Sequence, residues 1–143
     1  MNTTNLLFTI VNSAIILAWL PLLLAPKKQF TQRLIEFPFV PFVLSFFYLY
    51  FLLKDGGLGE ADFSSLEGIL ILFHQATPEA AAAGWMHYLA FDFWVGCWLL
   101  RDAQKRALPH ALIIFPLLCT FMLGPVGILL YVIFSQTFLK IKQ

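Results

Sequence analysis

Charge is what this sequence has least of. Only 12% of its 143 residues are Asp, Glu, Lys or Arg, against 60% apolar. A soluble domain carries roughly a quarter charged residues, so too few polar atoms exist here to cover a water-facing surface. The 9 basic and 8 acidic residues nearly cancel, leaving a net charge of +1. No basic face is available to neutralise phosphates, which excludes nucleic acid as a partner. Cysteine is scarce too: Cys97 and Cys119 both lie in apolar runs. Two thiols make neither a metal quartet nor a disulfide framework, and both read as small packing residues. Neither a metal nor any other cofactor is expected. Processing signals are also missing. The first cations, Lys27 and Lys28, follow the first apolar run, where a cleaved signal peptide wants them before it. No Arg- and Ser-rich transit segment is present. The expected location is a bacterial inner membrane, or a plastid membrane if the source is eukaryotic.

What the chain does have is long apolar runs and many aromatics: 16 Phe, 4 Trp and 4 Tyr. Lipid is the solvent that suits them. The expected fold is an all-α integral membrane protein, a single domain over residues 1–143 built as a bundle of four transmembrane helices. The spans are expected at about 6–25, 38–53, 80–100 and 111–134. Some twenty apolar residues match a hydrocarbon layer of about 30 Å. The second run is short, with Tyr48, Tyr50 and Lys54 as interfacial anchors at its far end. Between spans two and three lies the most polar stretch, holding Asp55, Glu60, Asp62, Glu67 and Glu79. Its apolar patch, Gly68–Phe73, is too short to cross and reads as an interfacial or re-entrant segment. Lys27, Lys28 and Arg33 follow span one, and Arg101, Lys105 and Arg106 follow span three; Lys54, Lys140 and Lys142 lie elsewhere. With four spans, the positive-inside rule then puts both termini on the non-cytoplasmic side.

Asp92 is the most informative residue. It sits inside span three in FDFWVG. A charged carboxylate at the bilayer centre costs about 2.5–3.5 kcal/mol on insertion scales. Such a residue either serves a site inside the bundle, where a neutral carboxylic acid can donate a proton, or forms a structural clasp, with Asn12 or Thr120 as partners. His87 lies five residues earlier in the sequence, which is about 140° around a helix and about 7.5 Å along it. The two are not stacked, though both could border one cavity; a plain interfacial histidine is the alternative. Asp102 can pair with Arg106 at i+4. With His110 it forms either an ordinary interfacial ion pair or an inner mouth that grips a polar end group. Gly124–Pro125 breaks span four, as a site-lining discontinuity or as a packing feature. Gly124 and Gly127 are small enough for close helix approach, and a homo-oligomer is compatible with them. Phe91, Trp94 and Trp98 recur at helical spacing, as core or lipid contact, or as the wall of a long apolar site.

The block GWMHYLAFDFWVGCWLLRDAQKRALPHALIIFPLLCTFMLGPVGILLY, Gly84 to Tyr131, resembles the abscisic-acid-deficient-four family of neoxanthin-synthase-like membrane proteins. His87, Tyr88, Asp92, Gly96, Asp102, Pro109, His110, Thr120, Gly124, Pro125 and Gly127 carry the resemblance. Asn12 and Thr31–Gln32–Arg33 add a weaker match in the first half. Cys119 departs from the Leu or Phe of the family pattern. The resemblance implies a carotenoid or related terpenoid as ligand, and a cofactor-free isomerisation that opens an epoxide and forms an allene. That chemistry needs an acid and a base. Asp92 with His87 or His110 is the expected catalytic set; Asn12, Trp94, Trp98, Asp102, Thr120 and Gly124 are expected to bind substrate. The alternative is a non-catalytic protein that binds a lipid or pigment or assists assembly. A transporter is disfavoured, because one buried acid makes a thin pathway.

Overall fold

The computed structural model describes residues 2–57 and 61–142; Glu60, counted above with the acidic stretch, lies outside them. Among the described residues the chain is all helical, with seven helices. Helix α1 runs Thr3–Leu24 and starts at Asn2, whose side chain accepts the Thr4 N–H at 3.2 Å. That contact satisfies one of the unpaired amides of the first turn. Val11, Ile15, Trp19 and Leu22 recur at helical spacing and are buried. Its opposite face exposes Ile10, Ile16, Leu17 and Leu24. A helix apolar all round fits a non-aqueous surrounding.

The basic connector is partly helical: α2 spans Gln29–Glu36 and α3 spans Phe39–Asp55. Pro38 between them pushes Phe37 into extended backbone, φ −117° and ψ 130°, as proline does to its predecessor. The pair is bent by 53°. Helix α3 stops at Gly56, whose φ of 101° suits the left-handed cap that glycine supplies. Helix α4, Leu66–His74, is capped by Ser65. Its 9 residues cannot cross a bilayer, and Leu66, Leu70, Ile71 and Phe73 are all exposed. Helix α5, Pro78–Lys105, has Thr77 as its cap and Pro78 in its first turn, where a missing N–H does no harm. At 28 residues it is about 42 Å long. It packs against α1, α2, α3, α6 (His110–Leu123) and α7 (Pro125–Lys142).

Polar contacts fix the directions. Thr4 donates to Glu79 at 2.6 Å, and the Gln104 amide donates to the Pro26 carbonyl at 3.1 Å. Helices α1 and α5 therefore run parallel. Lys54 donates to Thr4 at 2.6 Å and lies 3.0 Å from Glu79, so α3 runs opposite to both. Thr77 adds a hydrogen bond to Asp55 at the same end.

The expected fourth span, 111–134, is not one helix. Gly124 separates α6 from α7 with φ 42° and ψ −93°, and α7 folds back along α6. Two contacts establish the reversal. Gly124 lies against Asp92, whereas Tyr131, seven residues later, donates to Asp102 at 2.6 Å. Asp102 is about 15 Å further along α5 than Asp92. Gly127 also sits directly on Thr120 and on the Pro116 carbonyl, so the two arms touch backbone to backbone. The physical reason is the junction itself. Gly124 adopts a backbone that a side chain would strain, and Pro125 opens a new helix where its missing N–H is harmless. Thr3 consequently starts at the Glu79 end and Lys142 finishes at the Asp102 end. The two ends of the described chain therefore lie at opposite ends of the bundle.

By length and composition α1 and α7 could each cross a membrane, and α2 with α3 could form a third, bent crossing. The apolar exterior of these helices makes the chain a membrane protein.

Candidate functional site

Asp92 is held on the face of α5 that meets the tip of the α6–α7 hairpin. Trp85, Tyr88 and Leu89 precede it on the same stripe, at spacings that share one helix face. Phe121, Met122, Leu123, Gly124 and Pro125 face them, and together they line an open groove of about 280 Å³. The approach at the tip is close: a methyl built on Gly124 would lie 2.5 Å from the Asp92 Oδ1. Only a glycine lets the backbone come this near. Among the described residues Asp92 has no hydrogen-bond partner and no ion pair. Pro125 brings no N–H to the tip, and the carboxyl borders the groove. This leaves it free for a ligand.

Neither partner expected of a structural clasp is used. Asn12 instead accepts the Trp85 indole N–H at 2.8 Å. It thereby orients the ring that walls the groove, with Phe8 against the same ring at 6.5 Å. Thr120 is fully buried and donates to the Pro116 carbonyl at 2.9 Å. Its place beside Gly127 makes it part of the hairpin's seam.

The two histidines are not brought to Asp92. His87 is exposed on another face of α5, between Tyr48 (ring centroids 5.9 Å) and Phe91 (4.7 Å). His110 opens α6, with Nε2 2.8 Å from the Leu23 carbonyl. Gly124 ends the same helix, about 20 Å away, and Gly124 is the residue at Asp92. Trp94 stacks on Phe91 at 6.4 Å and 15° and borders a 110 Å³ cavity with Cys97, Trp98 and Arg101. Trp98 meets Tyr131 edge-on at 5.8 Å. Asp102 accepts from the Tyr131 hydroxyl at 2.6 Å and from Arg106 Nε at 2.7 Å. This ties α7 to α5 below the groove.

Three residues that matter to this geometry carried little weight in the sequence: Trp85, Tyr88 and Tyr131. Trp85, Tyr88 and Asp92 stand at i, i+3 and i+7, a helical stripe that spacing alone could have exposed. Tyr131 lies in an apolar run and gives no such signal.

Another polar knot holds the far end. Thr4, only 2% exposed, links Lys54 to Glu79. The Thr4 hydroxyl first, and then Lys54, hold the Glu79 carboxyl below its usual 4.5. In the loop before α4, hydrogen bonds from Ser64 and Ser65 draw the Asp62 carboxyl down to about 2.

Residues 6–131 match the family model described as ABA4-like, ABA DEFICIENT 4-like. No curated protein and no solved structure matches the chain. The matched stretch contains all of the groove, the hairpin tip and the Asp102–Tyr131 tie, and with a match of that extent the chain belongs to the ABA4-like family of membrane proteins.

Proposed function

We propose that the groove at Asp92 is the active site of a cofactor-free isomerase acting on a carotenoid or related terpenoid epoxide. The observation that carries this reading is the unpartnered Asp92 carboxyl in a groove of apolar and aromatic side chains, at a backbone approach that requires Gly124. The family supports the ligand class. A neutral Asp92 donates its proton to the epoxide oxygen as the carbon–oxygen bond opens. The resulting carboxylate takes a proton from the neighbouring carbon as the allene forms. Atoms and charge balance, and the acid is regenerated. One carboxyl thus serves as acid and then as base, and neither His87 nor His110 is needed. Tyr88 borders the same groove and is placed to hold the oxygen during transfer. Trp85, fixed by Asn12, supplies a flat wall for a conjugated chain.

We read α1, the bent α2–α3 pair and α5 as three crossings, and α6–α7 as a hairpin inserted from the Asp102 end. Lys27, Lys28, Arg33, Arg101, Lys105, Arg106, Lys140 and Lys142 then share one end, and Lys54 alone is at the other, out of 9 basic residues. The positive-inside rule places that end in the cytoplasm, with the N-terminal end outside and the C-terminal end inside.

The test is turnover by purified, reconstituted protein supplied with an epoxy-carotenoid, followed by chromatography for a product of unchanged mass. His87→Gln and His110→Gln should retain turnover. Tyr88→Phe should slow it by about ten-fold, the worth of roughly one hydrogen bond. Retention of pigment by the wild type without any isomer formed would favour the alternative, a non-catalytic pigment-binding protein.

A further inference from the structure

A second cavity, of about 630 Å³, lies between the α1–α2 turn and the α5–α6 connector, lined by Pro26, Lys27, Gln32, Gln104, Leu108 and His110 among others. It lies at the opposite end of α6 from the groove. Its rim is fixed: the Gln32 amide donates to the Pro26 carbonyl at 2.6 Å, and the Gln104 amide donates to the same oxygen at 3.1 Å. Each primary amide has a second N–H, and neither is used among the described residues. His110 anchors its Nε2 on the Leu23 carbonyl, while its Nδ1 is buried and has no partner. A buried nitrogen without a partner costs free energy that a ligand can recover. Lys27 is exposed and enters no ion pair among the described residues; the one ion pair at this end is Arg106 with Asp102. Among the described residues Glu36 and Asp102 are the only acids there, against eight cations.

These groups are a cation, two spare amide donors and an imidazole whose Nδ1 becomes a second N–H donor when the ring is protonated, around a cavity of ligand size. The chemistry they fit is a phosphate anion. Leu24, two residues before Pro26, is 77% exposed, so an apolar flank adjoins the polar niche. Basic pockets at the cytoplasmic ends of membrane helices hold anionic headgroups in this way. We infer that this cavity binds the phosphodiester headgroup of an anionic phospholipid, with its acyl chains on the flank of α1.

The test is native mass spectrometry of the purified chain titrated with phosphatidylglycerol or phosphatidylcholine. One phosphatidylglycerol should be retained per chain, in preference to phosphatidylcholine. Lys27→Gln should weaken its affinity about five-fold, the worth of one cation at an anionic surface. Lys105→Gln, an unpaired cation that does not line the cavity, should change it less than about two-fold. Both sites are exposed, and unchanged thermal unfolding of each variant would show that folding is intact. Equal retention of the two lipids, or equal losses in the two variants, would overturn the site. Displacement of phosphatidylglycerol by millimolar inorganic phosphate would overturn the lipid as its source and leave a free anion as the ligand.

Discussion

Replacing Gly127 by Ala tests the hairpin, on which the groove depends. A methyl at Gly127 would lie 2.5 Å from the Thr120 amide nitrogen and 2.6 Å from the Pro116 carbonyl oxygen, and closer still to the Thr120 hydroxyl. The hydroxyl can rotate, but the other two atoms are backbone of α6, and only separation of the arms relieves them. Overpacking of this kind costs about 1–3 kcal/mol. At this chain length 1 kcal/mol moves the melting temperature by about 4 °C, so Gly127→Ala should melt about 4–12 °C lower. Gly84→Ala is the control: nothing lies within 4 Å of a methyl there. In a helix interior that change gains about 0.5–1 kcal/mol, so it should melt slightly higher. Intrinsic fluorescence during a thermal ramp in detergent reads both. If Gly127→Ala melts at or above the wild type, α7 does not lie against α6 as described, and the reasoning fails.

Tyr131→Phe removes the hydroxyl that Asp102 accepts, while the ring still packs against Trp98. The chain should lose about 1–2 kcal/mol in denaturant titration, because Arg106 still satisfies part of the carboxylate. Glu79 sets an acid limit. Its carboxyl is lowered in the folded chain, so it contributes stability above pH 4.5 that is lost as pH falls through its lowered value. Melting temperature should therefore drop as pH is taken from 5 to 3, and Glu79→Gln should flatten that drop. A loss between about pH 4 and 2 should persist in Glu79→Gln, because Asp62 titrates at about 2. A protease-cleavable tag at the C-terminus should be cut only from the cytoplasmic face of vesicles, and one at the N-terminus only from the other. Cutting of both tags from one face would restore four crossings.

The sequence made the first three long helices legible because each is a plain apolar run between polar markers. The expected 6–25, 38–53 and 80–100 fall on α1, α3 and α5 with small shifts at their ends. Asp92 also stood out, as a lone acid in lipid-facing context. The hairpin did not. Gly124–Pro125 announces a break, but kink and reversal use the same two residues, and the difference lies in one glycine torsion. That torsion in turn decides where Tyr131, Lys140 and Lys142 end up. The histidines were paired with Asp92 by chemical type. Their separation is set by the direction of each face of α5 and by the length of α6. Thr4 and Asn12 were hard to place for a similar reason: a single hydroxyl or amide in an apolar run does not name its partner on another helix.

The most direct measurement is the Asp92→Asn variant in reconstituted membranes, with retained ligand and isomerised product counted in the same sample. The amide keeps the size of the side chain and loses the proton that it donates. Retained pigment should stay within about two-fold of the wild type and turnover should fall by about 10²–10⁴-fold, the usual worth of a positioned acid–base group. Turnover equal to that of the wild type would contradict that role for Asp92.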